Sequence, residues 1–290
     1  MKNLIVTWVV ISLFGTCYTM AGTWTTLGMP EATETGASSI DGSNIVGGYT
    51  DASGGHGFLY NGTSWTTINM SGATYTSADG IDGINIVGEY TDTFGKEHGF
   101  LYNGTSWTTL DVPGATGTFA YGISGSNIIG SYYNASGGHG FLYDGTSWTT
   151  LDYPGAIDTS ADGIDGSNIV SSYTDASGKE HGFLYNGTSW ITLDKPEATW
   201  IELAGIDGSD IVGCYGDASG EQHGFLYNGT SWTTLDAPGA TSTNPTGIDG
   251  SNIVGTYQDA SGIHGFIYTV PEPATIVIFA IGAIFFRKIR

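Results

Sequence analysis

The chain has 290 residues, 28 of them acidic and seven basic, for a formal net charge of −21. Between Gly22 and Val270 lie all but one of the acids, with Lys96, Lys179 and Lys195 as the only bases and no arginine. Such a body repels nucleic acid and anionic membranes, both of which need Lys and Arg to displace counterions. It also lacks the bidentate Arg clamps that suit anionic small substrates. The 13% aromatic content supplies a core, so the acidity does not imply disorder, and 47 glycines point to tight turns rather than long helices.

Residues 1–21 read as a secretory signal. Lys2 gives a positive start, Leu4 to Gly15 an apolar centre, and "TMA" a small-x-Ala site before Gly22. Cleavage after Ala21 leaves Cys214 as the single thiol, so neither an internal disulfide nor a Cys-based metal site can form.

Residues 22–269 are a repeat. Trp24, Trp65, Trp107, Trp148, Trp190 and Trp232 recur at 41–42-residue intervals, and all six histidines, His56, His98, His139, His181, His223 and His264, sit in one His-Gly-Phe motif. Each unit parses into four short strands around Asn- and Gly-containing turns. These are A (Gly-Ile-Asp), B (Ile-Val-Gly-x-Tyr), C (His-Gly-Phe-Leu-Tyr) and D (Trp-Thr-Thr-Leu). The body starts on a lone D strand at Trp24 and its last unit stops after C at Tyr268. Joining the two completes six blades, so the spacing predicts an all-β, six-bladed β-propeller closed by its N-terminal strand. A solenoid is the alternative, but it would need distinct capping units.

The repeated histidines start strand C in separate blades, too far apart to share one ion, and are expected to bond neighbouring turns through their ring nitrogens. The strand-D tryptophans are expected to pack the blades. The Asp residues of "DGSN" and "YTDASG" are read as Asx-turn caps, since a calcium loop would space several carboxylates with a late Glu. "NGT" at Asn61, Asn103, Asn186 and Asn228 matches a glycosylation sequon but is also the C–D hairpin turn. No Ser or Cys, His and acid break the repeat together, so no catalytic residue, metal or cofactor is assigned and the chain is not read as an enzyme.

Differences between repeats carry more information. The residue after Ala-Thr or Ala-Ile is Glu34, Tyr75, Gly117, Asp158, Trp200 and Ser242 in turn. This column is assigned to variable D–A loops, where binding commonly sits, and Tyr75 and Trp200 are the candidate ligand-binding residues.

Residues 270–290 read "VPEPATIVIFAIGAIFFRKIR": Pro271, Glu272 and Pro273, a 13-residue apolar run and a basic tip. This order resembles the PEP-CTERM sorting signal. The run is shorter than the ~20 residues of a comfortable transmembrane helix, and the basic end would stay cytoplasmic. The resemblance implies a Gram-negative exported protein, tethered transiently in the inner membrane and then cut by an exosortase that reads Pro271–Pro273. The body resembles the HAF extracellular repeats, through "GIDGSNIVG" (Gly247 to Gly255) and "HGFLYNGT", with His-Gly-Phe where that family name implies His-Ala-Phe. The family implies no enzymatic role. The expectation is a non-catalytic surface protein of the extracellular or biofilm matrix. One alternative is a propeller that binds carbohydrate, such as exopolysaccharide, through its variable face; a weaker one is an exported hydrolase.

Overall fold

The computed structural model describes residues 22–271. They form a six-bladed β-propeller of four-stranded antiparallel sheets. The first blade comprises strands A (Glu34–Asp41), B (Asn44–Asp51), C (Gly54–Tyr60) and D (Trp65–Ile68), and the next four repeat that order. The sixth has Ser242–Asp249, Asn252–Asp259 and Gly262–Thr269 as A, B and C, and takes Thr23–Leu27 as its D strand. Thr23 pairs with Thr269 and Leu27 with Gly265, so the seam predicted from the ends of the repeat closes the ring. A closed ring leaves no capping units, which removes the solenoid.

Each blade buries one Phe from strand C: Phe58, Phe100, Phe141, Phe183, Phe225 and Phe266 are all at most 1% exposed. The strand-D Trp packs 4.8–5.1 Å from that Phe and 4.5–4.7 Å from the Tyr two residues beyond it. Six small cores therefore lie between sheets rather than one in the middle. Strand B supplies the room. At Gly47, Gly88, Gly130, Gly213 and Gly255 an added Cβ would come within 1.9–2.2 Å of a strand-A carbonyl oxygen.

The fourth blade departs from this rule, with Ser171 where the others have that glycine. Its strand A is broken into Asp158–Thr159 and Gly163–Asp165. Ser171 thus costs the blade the pairing that Ala37–Gly47 makes in the first.

The two Asp motifs have different roles. In "YTDASG", Asp51 Oδ1 accepts from the Ser53 N–H at 2.7 Å, the expected Asx turn. In "DGSN" the carboxylate instead reaches the next blade: Asp41 Oδ2 accepts from Gly83 N–H at 2.7 Å, Asp165 from Gly208 at 2.8 Å and Asp249 from Gly42 at 2.7 Å. The Asx-cap reading of that motif is corrected accordingly. Asp82 and Asp207 bond Gly125 and Gly250 in the same way, and Ser124 takes the role in the third blade. Six hydrogen bonds form an unbroken circle on the A–B face, which explains why that turn scarcely varies.

Candidate functional site: an acidic axial cavity and an inter-blade groove

Strand A is innermost, and each carries a β-bulge that turns one residue towards the axis. Register shifts flank Ser38, Asp79, Tyr121, Ala204 and Thr246, and Asp162 holds the same place in the broken strand. Extra residues of this kind re-aim a side chain. Two positions earlier the column reads Gly36, Ser77, Phe119, Ser160, Glu202 and Asn244, while the residues between and after are nearly constant. Variation is therefore concentrated at alternate strand-A positions, the first, third and fifth, with Ile201, Leu203 and Pro245 the exceptions between them. The column of Glu34, Tyr75 and Trp200 is the first of these. Its assignment to loops is corrected: it begins the strand. The third and fifth positions were missed at the sequence level, although a period-two alternation in variability was there to find.

The fifth-position residues line an axial cavity of about 460 Å³ together with Glu180 and Glu202. Deeper in, it narrows to about 100 Å³ at the isoleucines of "GID", such as Ile40, Ile123 and Ile206. The wall is acidic. Asp79, Asp162 and Glu202 lie on the second, fourth and fifth blades, and Glu89 stands behind Asp79. Burial raises the carboxyl pKa at all four. Asp162 is pushed up to about 6, with the hydroxyls of Ser160 and Ser171 holding it down. Glu202 is pushed to about 7 by burial and then by the charges of Asp162 and Glu180. Burial raises Asp79 to about 7 against the Ser77 hydroxyl, and burial, then the charges of Asp79 and Glu97, raise Glu89 to about 8.

Asp79 and Asp162 differ in one respect. Ser160 Oγ donates to one oxygen of Asp162 at 2.6 Å and Ser171 Oγ donates to the other. Ser77 Oγ serves Asp79 Oδ1 at 2.6 Å, but Gly88 stands where Ser171 would be, and Asp79 Oδ2, sealed from solvent, has no partner.

A second opening of about 290 Å³ lies between the sixth, first and second blades, lined by Glu34, Gly48, His56, Tyr75, Asn244 and Thr256 among others. It exists because the paired third position of A and its partner on B is Gly36–Gly48 in the first blade. Elsewhere that pair carries side chains, as in Asn244–Thr256 and Glu202–Cys214. The Tyr75 ring, 40% exposed, lies over Gly55, whose missing Cβ it would meet at 2.5 Å. Asn244 Oδ1 is buried and has no hydrogen-bond partner. Trp200 sits three blades away from Tyr75, folded across Gly216. The two candidate residues therefore belong to separate places on one face, not to one site.

Five of the six repeated histidines bridge two turns, and His264 bonds one. In the third blade Nδ1 meets Asp152 at 2.9 Å and Nε2 meets Ser136 Oγ at 2.9 Å. His98 and His181 bridge Asp92 to Asp111 and Asp175 to Asp194, His223 bridges Asp217 to Asp236, His56 reaches Asp51 and Asn69, and His264 reaches Asp259. At "NGT", Asn61 Oδ1 accepts from Thr63 and Ser64 N–H at 3.1 and 2.9 Å, as a turn residue does. Asp217, Glu221 and His223 form the one trio among the described residues whose ligand atoms lie within 4.8 Å of one another, on the exposed rim. Cys214 is buried beside Glu202, and burial pushes its thiol well up, away from nucleophilic use. Pro271 is the last described residue; Glu272, Pro273 and the apolar tail, like the 1–21 leader, lie outside the described residues. Among the described residues no helix is long and apolar enough to cross a membrane.

No protein-family profile and no curated sequence matches the chain. Solved structures do. A lectin, SapL1, in complex with α-methyl fucoside superposes with a TM-score of 0.56 at 17% identity, over 84% of this chain and 97% of that one. The fucose-specific lectin of Aleuria aurantia, itself a six-bladed β-propeller, gives 0.50 at 13%, covering 87% and 100%. A putative TolB from Agrobacterium tumefaciens gives 0.54 at 15%, covering 82% and 90%. At these identities the likeness defines the class, a six-bladed propeller.

Proposed function

We propose that this propeller is a non-catalytic carbohydrate-binding module and that the groove beneath Tyr75 takes a neutral saccharide. The observation that carries the reading is Asn244 Oδ1, a buried acceptor without a donor, in a groove opened by the Gly36–Gly48 pair and flanked by an exposed aromatic ring. A sugar supplies the matching chemistry, hydroxyl donors on one edge and C–H groups against an aromatic face. A body without arginine disfavours sialic or uronic acids. The shared architecture with two fucose-binding lectins supports the class of ligand.

The test is glycan-array screening followed by calorimetry on the groove variants. Gly48→Ser fills the groove; its new Cβ has only 3.6 and 3.8 Å contacts, so the fold tolerates it. Gly48→Ser and Tyr75→Ala should each weaken binding at least tenfold, with Trp200→Ala near wild type. Full binding by Gly48→Ser would sink the groove reading.

The setting we propose is the cell exterior or exopolysaccharide matrix, reached by export and by removal of the tail by an exosortase that reads Pro271–Pro273. Its support is the sequence pattern at both ends of the chain. Mass spectrometry of the mature C-terminus from cells with and without an exosortase should show loss of the tail only in the former. An intact tail in both would overturn it.

A further inference from the structure

We infer that the axial cavity is a second binding site, separate from the groove, for a small organic cation carrying a primary ammonium group. Asp79, Asp162, Glu180 and Glu202 line this space, and no lysine or arginine does. Buried carboxylates ordinarily find a cation or a full set of donors. Asp162 has its donors, whereas Asp79 Oδ2, deep in the wall, has none. An ammonium in the cavity brings three donors and the missing charge to the carboxyls that line it, and reaches Asp79 Oδ2 once that carboxyl turns out of the wall.

The geometry favours an organic cation over a bare metal ion. Calcium needs six to eight oxygens at roughly 2.3–2.6 Å, yet no three axial ligand atoms lie within 4.8 Å of one another, since the one such trio among the described residues is on the rim. A cavity of about 460 Å³ instead has room for a sugar ring or a diamine chain. The first and sixth blades offer the hydroxyls of Ser38 and Thr246, and Tyr121 of the third adds an aromatic ring. Acids therefore face one another across the axis, Asp79 of the second blade opposite Glu202 of the fifth, with neutral groups between them, suiting a ligand whose ammonium meets the carboxyls while its hydroxyl or methylene groups lie against Ser38, Thr246 and Tyr121. Two sources share this chemistry, amino sugars of a deacetylated polysaccharide and free diamines.

The facing groups, Asp79, Glu89, Asp162, Glu180, Glu202 and Tyr121, include no base, and an entering ammonium displaces protons that burial keeps on Asp79, Glu89, Asp162 and Glu202. Binding should therefore release protons and weaken as the pH falls.

Calorimetry on the 22–271 propeller with glucosamine, putrescine, N-acetylglucosamine and calcium chloride, in buffers of different ionisation enthalpy, tests this. At about pH 7.5, glucosamine or putrescine should bind at 1:1 with proton release, and at least tenfold more weakly at about pH 5. Asp79→Asn should cut that affinity at least tenfold and Gly48→Ser should leave it unchanged, which separates this site from the groove. Binding of glucosamine alone marks the amino sugar as the source, and of putrescine alone the diamine. Failure of both amines to bind, amine affinity unmoved by Asp79→Asn, or calcium binding lost in Asp79→Asn would each overturn the inference.

Discussion

Asp79 and Asp162 hold the same bulge position two blades apart, and one strand-B residue separates their chemistry. Ser171 gives Asp162 a second hydroxyl; Gly88 gives Asp79 nothing. The consequence for stability runs against the usual carboxylate pattern. In the unfolded chain these acids ionise near pH 4, whereas in the fold Asp162 and Glu202 hold their protons to about 6 and about 7. The folded state binds more protons across that interval, so stability falls as pH rises from about 4 to about 7. The exposed turn residues Asp175 and Asp217 act oppositely. Ser177 and Ser219 hydroxyls hold their carboxyls below the ordinary value, to about 2 for Asp217, and this contribution is lost as pH drops from about 4 towards 2. Thermal melts should peak near pH 4–5. Asp162→Asn should raise the Tm at pH 8 by roughly 3–6 °C, on the order of 1–2 kcal/mol, and change it little at pH 5. A Tm difference independent of pH would refute this account.

The D–A connections show what one residue does to an element. Four of them turn at a glycine with positive φ: Gly72, Gly114, Gly155 and Gly239. In the other two the same position is Glu31 and Glu197, at φ of 69° and 68°. A non-glycine residue in that region carries strain of about 1 kcal/mol or more. Glu31→Gly and Glu197→Gly should each stabilise the propeller, by up to about 1 kcal/mol, read as a higher denaturant midpoint at constant slope. An unchanged or lower midpoint would show that the glutamates make compensating contacts. These two strained turns introduce the strands that begin at Glu34, beside the groove, and at Trp200. Elements of this kind were legible from the sequence because each strand repeats six times between the same turn residues. The site was not, because it depends on which members of a column are missing a side chain. Gly36 with Gly48 makes a groove and Gly88 leaves an acceptor unmet, and a glycine among 47 glycines gives no local sign of either. The spatial separation of Tyr75 from Trp200 was hidden for a related reason: equal columns in a repeat become opposite sides of a ring.

At the scale of the whole molecule, six blades with six separate cores depend on one another through the ring. Each blade stacks its strand A on its neighbour's strands, and the A–B turns are tied in a circle by hydrogen bonds. Only the last blade is assembled from both ends of the chain, with Leu27 buried and Trp24 packed on Phe266 and Tyr268. Removing residues 22–28 would expose strand C of that blade as an open edge and uncover its core. The Tm of the truncated propeller should drop by more than 10 °C, on the order of 3 kcal/mol or more, with new aggregation on heating. An unchanged melt would mean that the seam is dispensable.

That seam also decides how the molecule answers to mechanical load. Thr23 lies opposite Thr269 at one end of an antiparallel ladder, so the two ends of the propeller leave side by side from the same edge. Tension applied between them would be borne one backbone pair at a time, beginning at Thr23–Thr269, rather than shared by the whole ladder. Drag on a propeller held only through Val270 would enter strand C of the last blade, which is held on both sides, by strand B over eight pairs and by the seam strand over five. The fold is thus far better suited to being held by one end than to bridging two anchors.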